Sequence, residues 1–184
     1  WVITSAKKPP LEASGIRIVD GEVSEVGPNT DLIQKYPEEE TIDASGKLVL
    51  PGFVNAHTHL YGVLAHGIPV EHPPEGFWEF LNDYWWPKVE DSLDKEMIAA
   101  ATKWACVEML QSGTTTFFDI LEAPNSLPGS LLIERDIVNE SGLRGILSFE
   151  ATERSGDQIA KLGIQENLAL HEAAKDDELV SAMM

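Results

Sequence analysis

The stretch "LVLPGFVNAHTHLYGVLAHG", residues 48–67, decides how this chain is read. An apolar run leads into two histidines one residue apart. In a β-strand the side chains at i and i+2 point to the same face, so His57 and His59 project together, about 7 Å apart along the strand. The apolar run reads as a strand buried on both faces, which sets the pair at its carboxyl end. Parallel α/β sheets and barrels keep their active sites there. Two imidazoles converging on one point suit zinc, iron or another borderline divalent ion. Chance is a weak rival: five histidines in 184 positions would give an H-x-H pair on the order of 0.1 times.

The segments around this stretch differ in texture. Before it, "SGIRIVDGEVSEVG" alternates apolar residues around Asp20-Gly21, the strongest short-range hairpin signal. "DASGK" predicts another turn, after which "LVL" starts a strand. Residues 1–50 thus read as a small β module whose strands are too short to close a core alone. After it the pattern becomes strand, helix, strand, helix. "KEMIAAATKWACVEMLQSG" places Ile98, Ala101, Ala105 and Met109 on one helical stripe, with Cys106 and Leu110 beside it and a stop at Gly113. "TTTFFDI" is a β-branched and aromatic strand, "SLLIERDIVNESG" a helix closed by Gly142, and "LRGILSFEA" a third strand. A polar helix over about 157–175 and the opening of a fourth strand in "ELVSAMM" complete the series. Such alternation predicts a parallel sheet, open or closed into a barrel.

The balance of 13 basic against 31 acidic residues, a net charge of −18, opposes nucleic acid or an anionic membrane as partner. The single cysteine, Cys106, excludes an internal disulfide and suits a reducing compartment, the cytoplasm. It reads as core rather than nucleophile. No apolar run approaches a membrane span, no signal peptide is expected, and the first residue, Trp1, suggests a processed or incomplete start.

Catalytic zinc sites take three protein ligands as a rule and structural ones four. The H-x-H pair offers two. His66, His72 and His171 read as exposed or supporting histidines, so the remaining ligands are expected elsewhere. The insertion over residues 61–94 holds Phe77, Trp78, Phe80, Tyr84, Trp85 and Trp86. In a barrel such a loop forms the mouth of the site, where Trp85 and Trp86 would stack on a planar heterocycle. Packing against the barrel or a neighbouring subunit of a homo-oligomer is the competing use. Asp119 and Glu150, near the ends of their strands, face either the pocket or the loops they would fix.

"PGFVNAHTHL" after a β-rich leader resembles the first barrel strand of the amidohydrolase superfamily. "GFWEFLNDYWWPKVEDSLDKEM", "EMLQSGTTTFFDI" and "SGLRGILSFEATERSG" resemble its aminohydrolase branch, which includes cytosine, guanine and adenosine-type deaminases and triazine chlorohydrolases. The resemblance implies an α/β fold: the first half of a (β/α)8 TIM barrel over 51–184, preceded by part of a composite β-sandwich over 1–50. It implies His57 and His59 as ligands of one divalent metal ion, zinc first and iron second. It also implies attack of a metal-bound hydroxide on a ring or amidine carbon with loss of ammonia. Glu90, in "PKVED", resembles a glutamate that touches substrate in nucleoside-type deaminases. The family's other ligands and its proton-shuttling glutamate belong to later strands, so the catalytic residues are expected beyond residue 184 and the chain alone is expected to be inactive. Imidazolone ring opening, dechlorination and a non-catalytic scaffold remain the alternatives.

Overall fold

A computed structural model describes all residues, 1–184. The chain divides into two compact units, Trp1–Gly52 and Phe53–Met184.

In the first unit, β1 (Ser14–Val19) and β2 (Glu22–Pro28) form an antiparallel hairpin. Asp20 and Gly21 turn it with φ of 50° and 80°. Two left-handed residues give the turn whose twist matches that of the strands, and Asp-Gly accepts that backbone at little cost. A register shift after Arg17 sets Ile16 opposite Val26 but Ile18 opposite Val23. Helix α1 (Asn29–Lys35) follows. The strand expected to start at "LVL" does not form there. Val49 makes only a bridge to Val2, and the next strand begins at Phe53. Pro51 has no N–H to give a ladder, which separates the two segments.

The second unit is a four-stranded parallel sheet in the order β3 (Phe53–Thr58), β4 (Thr114–Leu121), β5 (Arg144–Phe149), β6 (Val180–Ala182). Helices α4 (Lys95–Ser112), α5 (Ser130–Ser141) and α6 (Asp157–Ala173) make the crossovers. Between β3 and α4 lie a 3-10 turn (Leu60–Ala65), the short helix α2 (Phe77–Phe80), a π turn (Leu81–Trp85), α3 (Trp86–Lys88) and a second 3-10 turn (Glu90–Ser92). No helix is long and apolar enough to cross a membrane.

Each boundary of α4 has a local cause. Asp94 accepts the Met97 N–H at 2.8 Å, satisfying a free donor of the first turn. Gly113, at φ 79°, closes the far end and donates to the carbonyls of the last turn; a side chain there would strain this backbone. Ile98, Ala101, Ala105, Cys106 and Met109 are buried as expected, against Phe117 and Leu121 of β4 and Leu131 and Val138 of α5 in one apolar core. Leu110 departs from expectation and is 51% exposed. At about 100° per residue it lies roughly 120° from Ile98, past the edge of the packed stripe.

The start of α5 has no capping side chain of its own. Instead Glu166 of α6 reaches across and accepts from Gly129 N at 2.7 Å and from Leu131 N at 2.8 Å. A carboxylate there answers both the unpaired donors and the positive end of the helix dipole.

Strand β5 crosses under α5 at Gly145, where closeness sets the residue. A Cβ there would stand 3.0 Å from Val138 Cγ1 and 3.1 Å from the Phe117 ring. Both neighbours are fully buried, so neither has room to withdraw. Gly145→Ala should therefore destabilise the protein by about 1–3 kcal/mol, read as a lower denaturation midpoint; an unchanged midpoint would mean that this contact is loose.

Strand β3 was expected to be buried on both faces. It is not: Phe53 is 57% and Val54 68% exposed. The strand lies at the edge of the sheet and pairs only with β4, so its outer flank and the side chains at its start meet solvent. Its carboxyl end lies beside those of β4 and β5, and the histidines stand there.

Candidate active site

His57 and His59 are brought together. Their ring centroids lie 5.2 Å apart with the planes at 81°. His57 is exposed and His59 half-buried. His59 continues the extended backbone just past β3, at φ −131° and ψ 99°, which keeps the i, i+2 alternation. Its Nδ1 lies 2.8 Å from the Ile120 carbonyl oxygen on β4. A carbonyl only accepts, so the bond requires the proton on Nδ1, and Nε2 is left with its lone pair. A backbone carbonyl on the far nitrogen is how metal-binding imidazoles are held in one tautomer. His57 and His59 thus offer two nitrogen donors of the kind a borderline divalent ion takes, and no group of three or more His, Cys, Asp or Glu in this chain completes the set.

Tyr61, in the 3-10 turn that follows, packs beside the pair. It is buried, its ring lies 5.4 Å from that of His59, and its hydroxyl is 3.3 Å from His59 Nδ1. With the Nδ1 proton directed at Ile120, the hydroxyl donates to Glu90 Oε1, also at 3.3 Å. Burial, with the nearby Glu122 and Glu90 carboxyls, pushes the phenol further up, so it stays a donor. The next ring in line is Trp85, 6.0 Å from Tyr61, and then Phe80, 5.6 Å from Trp85.

Glu90 is 1% exposed and is the polar centre of the site. Its Oε2 pairs with Arg154 Nη2 at 2.7 Å, while Arg154 Nη1 pairs with Asp91 at 2.9 Å. The guanidinium carbon lies 4.8 Å from the centre of the Trp86 ring. Glu122, just after β4, acts on Glu90 and on Glu150, just after β5. Burial, then the hydrogen bond and charge of Glu122, push Glu90 up to about 9, with Arg154 pulling the other way. Burial and Glu122 push Glu150 up to about 7. Like charges in a pocket closed to water repel, which disfavours the charged form of Glu90 and Glu150 and sets the pull of Arg154 against it.

Asp119 resolves in favour of loop fixing. It is fully buried, and its Oδ1 accepts the Leu60 N–H at 2.7 Å, anchoring the turn just after His59. Burial pushes it up to about 7, against the pull of that N–H. His66, His72 and His171 are exposed, and Tyr84 donates to the His72 carbonyl. Cys106 is buried and its thiol pushed up by burial, so it has no nucleophilic character.

Sequence reasoning missed Tyr61, Glu122 and Arg154. Tyr61 had no signal in the strand pattern, because it stands in the 3-10 turn after β3, where the i, i+2 spacing no longer holds. Glu122 had a weak one in its place just past a strand. Arg154 had none, because its partners lie 63 and 64 residues away.

A parallel α/β sheet with paired imidazoles at its carboxyl edge, one of them fixed by a neighbouring strand's carbonyl, has the arrangement of part of a metal site on an α/β protein. Comparison with known proteins narrows this. The amidohydrolase family model matches residues 48–183, and the chain belongs to that family. It is 34% identical over 188 residues to a 5-methylthioadenosine/S-adenosylhomocysteine deaminase of Thermodesulfovibrio yellowstonii, covering 98% of this chain and 40% of that one. A 5'-deoxyadenosine deaminase of Methanobrevibacter smithii is 33% identical, with 89% of this chain and 35% of that one covered. The chain thus spans about two fifths or less of the length of these curated relatives. Among solved structures, guanine deaminase of E. coli superposes with a TM-score of 0.71 at 20% identity, over 91% of this chain and 38% of that one. An adenosine deaminase from Xanthomonas campestris with bound zinc gives 0.65 at 24%, over 93% and 37%. These likenesses establish the fold.

Proposed function

We propose that the complete protein is a metal-dependent deaminase of adenine nucleosides, hydrolysing the exocyclic C–N bond of the purine. In this reading residues 51–184 form the first half of a (β/α)8 barrel, and residues 1–50 form part of a composite β-sandwich. The observation that carries it is the His59 Nδ1 bond to Ile120, which presents Nε2 beside His57. The names of the relatives supply the substrate class.

His57 and His59 would hold the ion, zinc by analogy with the Xanthomonas structure. When bound, such an ion supplies Lewis acidity that brings the pKa of a water molecule towards neutrality. The chain's own residues bind and orient. Ile120 keeps the proton on His59 Nδ1, and Asp119 fixes the turn that follows. Trp85 and Trp86 offer flat faces to a purine. Glu90 meets a hydroxyl of the sugar, which it recognises by hydrogen bonding. Tyr61 donates to Glu90 and keeps its carboxyl turned towards the histidines. Water is excluded by the aromatic segment between β3 and α4. The groups that move protons to the leaving amine would lie on strands beyond this chain.

The test is ammonia release by the purified complete protein from adenosine, 5'-deoxyadenosine, 5-methylthioadenosine, guanine and cytosine. Adenine nucleosides should be turned over with kcat/KM at least about tenfold above guanine and cytosine, a difference of about 1.4 kcal/mol in the transition state. Turnover of the free bases alone, or of none of the five, would overturn the reading.

A further inference from the structure

Arg154 is committed on three sides, to two acids and an aromatic ring. It comes from the loop after β5 and reaches two consecutive acids on the far side of the site, Glu90 at 2.7 Å and Asp91 at 2.9 Å. The same guanidinium lies over the Trp86 face. Its Nε is buried with no hydrogen-bond partner. Leaving such a donor unpaired costs about 1–3 kcal/mol, so the guanidinium is placed for the two acids and the ring, and not for its own saturation.

We propose that Arg154 is the positioning residue of the substrate wall: it fixes the Glu90 carboxyl and the Trp86 ring face in one arrangement before substrate arrives. The proposal rests on the reading of Glu90 and Trp86 as substrate contacts. Several groups face Glu90: Tyr61 from the turn after β3, Asp91 from its own turn, Glu122 after β4, and Glu150 and Arg154 after β5. All but Tyr61 and Arg154 are carboxyls. Without the cation, Glu90 would be pushed away by its neighbours or share their proton, and the Trp86 ring would lose the plate that holds it. An arginine is suited to this because its planar fork serves two oxygens at once while its face stacks; a lysine supplies only the charge.

The experiment is a double-mutant cycle in the complete protein with an adenine nucleoside as substrate. Arg154→Met should raise KM by ~10-fold or more with kcat within ~2-fold, as expected when a charge-assisted contact to the bound ground state is loosened. Arg154→Lys should recover part of the loss. In a Glu90→Gln background, Arg154→Met should add less than ~2-fold, because the two act as one unit. A fall in kcat at constant KM, or full additivity with Glu90→Gln, would overturn the proposal.

A second measurement needs no turnover. The protonated-carboxyl infrared band that disappears in Glu90→Gln is titrated in wild type, Arg154→Met and Arg154→Lys. Loss of the cation should move the midpoint to higher pH, and lysine should bring it back. One midpoint for all three proteins would also overturn the proposal. If wild type deaminates no nucleoside, the proposed function has failed, and this titration still decides the role of Arg154.

Discussion

A His59→Ala form of the complete protein is expected to bind its divalent ion at least ~100-fold more weakly than wild type and to lose turnover with it. Removing only an outer partner of a metal ligand costs 10- to 100-fold in affinity, so removing the ligand itself must cost that or more. His57→Ala should behave alike, because the two rings meet at 5.2 Å and one imidazole alone holds such an ion poorly. The measurement is metal content after dialysis against a buffered chelator, with circular dichroism to check the fold. The fold should persist, since His57 is exposed and His59 only half-buried. Tyr61→Phe provides the contrast. It deletes a hydroxyl shared by His59 and Glu90 but leaves the Ile120 bond that sets the tautomer, so metal should remain. Stoichiometric metal and normal turnover in His59→Ala would move the metal site elsewhere.

The second large effect concerns stability. Glu134 of α5 is fully buried, and neither carboxyl oxygen has a hydrogen-bond partner. Burial, followed by the charges of Asp119 and Glu166, pushes it well above the ordinary glutamate range. The folded protein therefore keeps a proton that the unfolded chain releases near pH ~4.3. Below that pH both states hold it and stability is unaffected. As pH rises from there towards the folded pKa, the unfolded state sheds its proton first and stability falls. Glu134→Met removes both the slope and the unpaired oxygens at similar volume. It should stabilise the complete protein by about 1–3 kcal/mol near neutral pH and by less near pH 5. Denaturation midpoints at the two pH values decide it. A destabilised Met variant at both would show that the carboxyl has a partner in the complete protein.

Much of this was readable from local signals. The Asp20-Gly21 hairpin, both ends of α4 and the i, i+2 histidines all depend on residues within one turn or strand, and each appears where expected. What failed depends on distance or context. Whether β3 is buried depends on what flanks the sheet, not on Phe53 and Val54 themselves. The LVL run looks like a strand, but Pro51 denies it a continuous ladder. Glu134 stands in a helix with ordinary polar spacing, and only the packing of α5 against α4, α6 and β5 makes it buried. The Glu90–Arg154 pair joins segments from two different loops, which no periodicity can reveal. The meeting of the two histidines was thus legible, while the polar network that surrounds them was not.

The reach of Glu166 to the amino end of α5 also sets an order of events during synthesis. The residues it holds, Gly129 and Leu131, precede it by 37 and 35 positions. At bacterial and eukaryotic elongation rates that interval is roughly 2 to 7 s. From the completion of α5 at Ser141 to the arrival of Glu166, 25 residues and roughly 1 to 5 s at the same rates, the helix has no side chain to close its first turn. The closing contact of α5 therefore becomes available only once the ribosome has delivered Glu166 of α6.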